Sequence, residues 1–436
     1  MKRDLALISL AATLLTAGAC TKDDPNSLLP SGGNGTAGCP STSGPTGTGG
    51  DSGSGGSGAS TASTGTAGST GSTNTLPPEN PILAERVVSY TEALRTASFK
   101  LVGNAPTLEE MMSVENAPTI EGKKALYEEL VDKMMADVRF KRRLVEVWRN
   151  TFRQAGAAAG QTPSRDTAPN FAARIVFEKK AFTDLFLATS NTCPTFNGTD
   201  FADGDCAPNG PDGMTTVGIL TDPGIHAQYY GNLAFRRVRL FQEVFACRKN
   251  PAEYAPDASM PPPIAGCEMA QTYTSPWDFT KIGGHTNTGR IDFQDCSSVI
   301  CGNCHGTINH RAPLFANFDE HGQYQPQYSV LLPLVGTPAA VYTDFLVEGE
   351  PTGWKVDMPA SNLMELGQAM AADEEVLQCA VTRVWNYAMS KGDVVVDSAS
   401  LSPDIIAPLV QKFKASGYNL NATWRDVFVH EDFVRF

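Results

Sequence analysis

A chain of 436 residues with a formal net charge of −13 has room for several packed units, and its acidity excludes a surface built for nucleic-acid phosphates. Beyond residue 20, no apolar run approaches the roughly 18 residues of a spanning helix, so a polytopic membrane protein is excluded as well. Ten cysteines fit an oxidising compartment.

Residues 1–20 read as a signal peptide. Met1-Lys2-Arg3 is the positive start, Leu5 to Leu15 is almost continuously apolar, and Ala17-Gly18-Ala19 supplies small residues before Cys20. That ending is similar to a bacterial lipobox, in which Cys20 becomes the lipidated N-terminus, although Ala17 stands where leucine is more usual. Thr21 in place of Asp carries no familiar inner-membrane retention signal. The expected location is therefore outside the cytoplasm, with a lipid anchor in the outer membrane facing the periplasm or the outside. Residues 21–80 are nearly all Gly, Ser, Thr, Asn, Asp and Pro. They hold too few apolar side chains for a core and read as a disordered tether.

The remainder predicts a mainly α fold of several small helical units: an N-terminal helical domain over 81–190, a middle domain over 191–350 and a C-terminal helical domain over 351–436. Apolar residues at three- and four-residue spacing predict helices over Val87–Val102, Lys123–Ala136 and Val138–Phe152, the last with Leu144, Val145, Trp148 and Phe152 on one face. Thr107-Leu108-Glu109-Glu110 is a capping-box start. Further helices are expected at Phe171–Leu187, Leu233–Ala246, Glu375–Met389 and Ile405–Ala415, with Leu377, Val381, Val384 and Ala388 as a buried stripe. The single strand signal runs from Asp393 to Val396.

Six cysteines in the folded part suggest disulfides. Cys193 and Cys206 bracket a Gly/Asp/Asn-rich loop and Cys247 and Cys267 a Pro-rich segment, which leaves Cys296 for Cys379. Six cysteines allow fifteen connectivities, and chain proximity alone favours this one.

Cys301-Gly302-Asn303-Cys304-His305 is the haem c attachment pattern. Two thiols three positions apart on one helical turn can each form a thioether with a haem vinyl group, and the following histidine becomes the proximal iron ligand. The pattern occurs once, which implies one haem c. Three alternatives stay open: a redox-active C-x-x-C, a zinc site drawing on Cys296, Cys301, Cys304 and His310, and a plain disulfide beside a chance histidine. The first would fit a βαβ setting that the surroundings do not suggest, and the second lacks another C-x-x-C or H-x₃₋₅-H. For the second axial position, Met358 in Asp357-Met358-Pro359 is the candidate, since a methionine before proline in an extended loop can present its thioether. His310 lies too close along the helix, and His321 and Met364 are the reserves.

Other polar residues have blander readings. Arg139, Lys141, Arg142 and Arg143 form a solvated helix face. Arg236, Arg237 and Arg239 suit ion pairs more than haem propionates, and His226, His285 and His430 suit the surface or caps. Glu109/Glu110 and Glu374/Glu375 fit helix first turns. No nucleophile elbow, Walker loop or dinucleotide fingerprint is present.

Several stretches together resemble the planctomycete-type cytochrome c family. Ala97 to Thr107 is similar to its "L-x-G-x-P-P-T" opening, followed by Leu130 to Met135 and the aromatic helix around Trp148. Gly218-Ile219-Leu220-Thr221 with Arg236-Arg237 resembles the next domain. So does Cys301 to His305 followed by Phe315-Ala316-Asn317-Phe318-Asp319 and Gly322, and Ala415 to Phe433 resembles the C-terminal domain. In place of the usual "D-P-L-G", this chain reads Arg311-Ala312-Pro313-Leu314-Phe315. The resemblance implies an exported, haem-bearing protein of small helical domains and no named reaction. The expected function is thus single-electron transfer to an unknown redox protein partner, with membrane contact through the lipid and no nucleic acid. The alternative is a binding or scaffold lipoprotein in which the cysteines are structural.

Overall fold

The computed structural model describes residues 85–154, 163–206, 216–249, 273, 275–283, 299–329, 345–393 and 401–436. The signal segment, the tether and Cys20, Cys267, Cys296 and His285 lie outside them, as does the run from residue 394 that carries most of the expected strand. The described part is mainly helical, with two short antiparallel ribbons. None of its helices is long and apolar enough to cross a membrane.

Four helices open it: α1 (Tyr90–Leu101), α2 (Leu108–Glu115), α3 (Ile120–Ala136) and α4 (Val138–Thr151). Each has a side-chain cap: Ser89, Thr107, Thr119 and Asp137 accept from backbone N–H groups of their first turns. At α2 the capping box is complete, Glu110 reaching back to the Thr107 amide. Helix α1 starts later than its periodicity predicts because Val87 to Ser89 are extended. Val87 exchanges backbone bonds with Phe436, and the Ser89 amide donates to Val434. The C-terminus thus claims the start of the folded part.

The helix expected over Phe171–Leu187 is two, α5 (Thr167–Phe177) and α6 (Asp184–Leu187). Lys179 takes a left-handed backbone at φ 58°, and the Phe182 amide donates to Tyr418 instead of continuing the helix. Between α6 and the next helices lie the ribbon β1 (Thr195–Phe196) with β2 (Phe201–Ala202) and a 3₁₀ turn at Gly218–Thr221. Next come α7 (Pro223–Gln228), α8 (Phe235–Phe245) and α9 (Val299–Phe315). A second ribbon pairs β3 (Gly353–Lys355) with β4 (Met358–Pro359). The chain closes with α10 (Leu363–Ala372), α11 (Glu374–Ala388), α12 (Pro403–Ala415) and α13 (Leu420–Phe428).

One hydrophobic core runs from Ala93 to Val434. The first and last helices share it: Tyr127 Oη donates to the Phe428 carbonyl at 2.5 Å, Lys100 Nζ to that of Tyr387, and Phe140 meets Trp424 edge-on. The expected stripes are buried, both Leu144, Val145, Trp148 and Phe152 and Leu377, Val381, Val384 and Ala388.

Cys193 and Cys206 are disulfide-bonded as expected, stapling the β1–β2 hairpin. The second bridge corrects the expectation: Cys247 pairs with Cys379, 132 residues away, and not with Cys267, so Cys379 is not the partner of Cys296 either. The reason is packing. Helix α8 delivers its C-terminus onto α11, where Cys379 Sγ also lies 3.4 Å from the Val244 carbonyl and Arg383 donates to the Glu243 and Val244 carbonyls.

Candidate functional site

Helix α9 carries the C-x-x-C-H segment in its first two turns. Positions 301, 304 and 305 follow i, i+3, i+4 spacing, so the three side chains share one face within about 100° of arc. Within this segment they are the half-buried residues and Gly302 and Asn303 the buried ones, and one turn on Gly306, Ile308, Asn309 and His310 are all buried. The buried side is pressed onto the segment 273–283. A Cβ at Gly306 would collide with Ser275 Oγ and the Tyr273 hydroxyl, so only glycine permits this approach. Across α9, Phe235 of α8 meets the His305 ring edge-on at 5.1 Å and Phe345 stacks on it at 6.5 Å.

The His305 ring is held at Nδ1, 2.9 Å from Asn309 Oδ1. Its surroundings push its pKa down to about 4, chiefly through burial, so the imidazole is neutral near pH 7. A neutral ring is the form that ligates a metal. Cys304 keeps its thiol, and burial pushes that thiol up to about 11. It is therefore a thiol and not a thiolate at neutral pH. Cys301 is disulfide-bonded, to a partner outside the described residues.

Among the described residues, Cys301, Cys304 and His310 do not gather as the zinc alternative requires. His310 points its Nδ1 at the Gly306 carbonyl at 2.6 Å and stacks on Trp277 at 3.7 Å, on the buried side of the helix. Its Nε2 lies 3.7 Å from Glu350. Among the described residues, the one group of metal-type donors is Cys193, Cys206 and Asp222, and both sulfurs there are in the disulfide.

Met358 occupies β4, an extended backbone as expected, and is partly buried against the core. Its ribbon docks on α9 through Arg311, six residues and so about 9 Å of helical rise beyond His305. Of the reserves, His321 is exposed beside Glu320 and Met364 packs in the first turn of α10.

The second half of α9 is locked by two buried arginines. Arg311 donates to the Trp354 carbonyl and to Gln242 Oε1 and lies 3.9 Å over the Trp354 ring. Burial lowers its pKa to about 9, and Trp354 Nε1 in turn donates to Asp373 at 2.6 Å. Arg237 spends its guanidinium on the carbonyls of His226, Phe315, Phe318 and Asp319. Arg237 thus ties the end of α9 and the stretch 315–319 to α7 in one buried knot.

Two expectations about single residues change or sharpen here. His226 is not a surface histidine: it is fully buried, stacked on Phe318 at 3.6 Å, with Nε2 on the Leu220 carbonyl. Of the ion pairs expected for Arg236, Arg237 and Arg239, Arg239 makes one with Glu243, whereas Arg237 answers the carbonyls of the knot and Arg236 donates to the Tyr230 carbonyl. The run Arg139 to Arg143 is a charged face paired with Asp137, Asp200, the Gly198 carbonyl and Glu146. Sequence reasoning missed Asn309 and Arg311. Asn309 stands four residues after His305, the one local signal that could have marked it. Compared with known proteins, the chain matches no family, no curated protein and no solved structure.

Proposed function

We propose that this chain is an exported lipoprotein, lipidated at Cys20, that holds one covalent haem c and passes single electrons to a redox protein partner. In this reading Cys301 and Cys304 hold the haem as thioethers, His305 is the proximal ligand and Met358 the distal one. The observation that carries it is the half-buried stripe Cys301, Cys304 and His305 on one helix face, with a neutral His305 anchored at Nδ1. When bound, the haem supplies a one-electron couple. The chain's own contribution is to orient the imidazole through Asn309, to line the ring with Phe235 and Phe345, and to brace the helix at Arg311. Thioether attachment needs both sulfurs as thiols, so Cys301 must first be released from its disulfide by a dithiol reductant. The resemblance to the planctomycete-type cytochrome c family supports the same reading.

The Cys301 disulfide favours a second reading, a binding or scaffold lipoprotein in which these cysteines are structural. A haem stain of the denatured full-length protein separates the two, with co-expression of a cytochrome c maturation system and a Cys301→Ala/Cys304→Ala variant alongside. Stain that survives denaturation in the parent and vanishes in the variant supports haem c. An exported, folded parent without covalent haem overturns it. Met358→Ala then tests the distal ligand: a low-spin spectrum that becomes cyanide-accessible supports Met358, and an unchanged spectrum and potential exclude it.

A further inference from the structure

Asn309 is buried at 1% exposure and uses both ends of its amide. Nδ2 donates to the Ile282 carbonyl at 3.2 Å and to the Phe345 carbonyl at 2.5 Å, while Oδ1 faces His305 Nδ1 at 2.9 Å. Carbonyls only accept. Turning the amide over would set its oxygen against two others, so the network itself assigns the atom that faces the histidine. That atom is an acceptor, and His305 Nδ1 must carry the proton. The two carbonyls come together because Gly283, at φ 61°, brings its backbone against Phe345 and Leu346, where a Cβ would lie 2.7 Å from their atoms.

We propose that Asn309 is the positioning residue for His305. It fixes the Nδ1–H tautomer, which leaves Nε2 as the basic nitrogen, and it ties the orientation of the ring to the segments 275–283 and 345–350. The tautomer assignment stands on the hydrogen bonds alone; its use in holding iron rests on the haem reading above. A change in either segment that moves the Ile282 or Phe345 carbonyl then reaches the imidazole through one amide, without passing along the helix. Raising the electron density on a ligating imidazole through its distal N–H is the established effect of such a partner in metal sites.

The test uses the full-length chain without haem, labelled with ¹⁵N at histidine and examined at pH 7, with His305→Gln to assign the ring signals. The parent should show a pyrrole-type Nδ1 and a pyridine-type Nε2. Asn309→Leu should shift His305 toward the Nε2–H tautomer that free histidine prefers, and Asn309→Asp, whose acid form can donate to the two carbonyls from one oxygen and accept from the ring at the other, should restore Nδ1–H. A role for Asn309 in packing alone predicts no difference in tautomer between the two variants. An Nε2–H tautomer in the parent overturns the proposal without recourse to any variant. In haem-loaded protein the midpoint potential should be higher in Asn309→Leu than in Asn309→Asp, and equal potentials in both would overturn the positioning role. Absence of covalent haem in the parent would overturn the haem reading and leave the tautomer result standing.

Discussion

The two halves of α9 are built on opposite principles. Around Arg311 and Phe315 the helix is buried on nearly every side: one guanidinium from α9 and one from α8 answer carbonyls at His226, Phe315 to Asp319 and Trp354, and Phe315 stacks flat on Phe241 at 4.9 Å. Around Cys301 to His305 the outer face is half-buried, and Asn309 holds the His305 ring from the next turn. The C-terminal half resembles a core element and the N-terminal half a presented surface. Buried polar groups with complete partners rigidify a helix, so the locked half can hold the other in place without covering it. On the proposed haem reading, the contrast supplies the support behind a ligand face that metal sites require.

The comparison makes ordered predictions, which urea unfolding checks. Replacing Cys247 and Cys379 together by alanine releases α8 from α11. With 132 residues between them, chain entropy gives a loss of about 5 kcal/mol, against about 3 kcal/mol for the Cys193/Cys206 pair. Equal losses would mean that the long bridge does not brace the helices on which α9 rests. Arg237→Ala should cost about 4 kcal/mol or more, since it leaves buried carbonyls unanswered around a cavity. A loss under about 1 kcal/mol would break the comparison, because the knot would then not be what holds the second half.

Acid sharpens it next. Burial lowers the pKa of His226 and His310, so the unfolded chain takes up protons there, from its ordinary histidine value near 6.5 downward, before the folded protein does. Stability should therefore be flat above that pH and fall as pH drops below it. Asp222 works in the opposite sense: burial raises it to about 6, so from there downward to the ordinary aspartate range the folded state gains a proton first and is favoured. Asp222→Asn should steepen the acid loss, seen as a larger drop in urea midpoint between pH 7 and pH 5. The smallest effect belongs to the presented half. Cys304→Ala should change stability by no more than about 1 kcal/mol while removing one thioether position, and a loss equal to that of Arg237→Ala would erase the distinction between the halves.

What was legible in the chain is what neighbours in sequence decide. The Thr107–Glu110 capping box closes over one turn, the Cys193–Cys206 bridge over one hairpin, and the Cys301, Cys304, His305 face follows from the helical repeat once a helix is present. The mainly helical class and the stripe Leu377, Val381, Val384 and Ala388 are likewise local patterns. Tertiary structure alone decided the rest. Cys247 found Cys379 and passed over a cysteine twenty positions away, because helix packing and not chain distance set which sulfurs meet. Val87 to Ser89 left their helical pattern because the C-terminal backbone offered partners, and His226 went inside because Phe318 offered its ring. Arg237, Arg311 and Asn309 each answer carbonyls far along the chain. A side chain with several donors shows nothing in sequence of where it will spend them, since its partners exist only after the backbone has been folded around it.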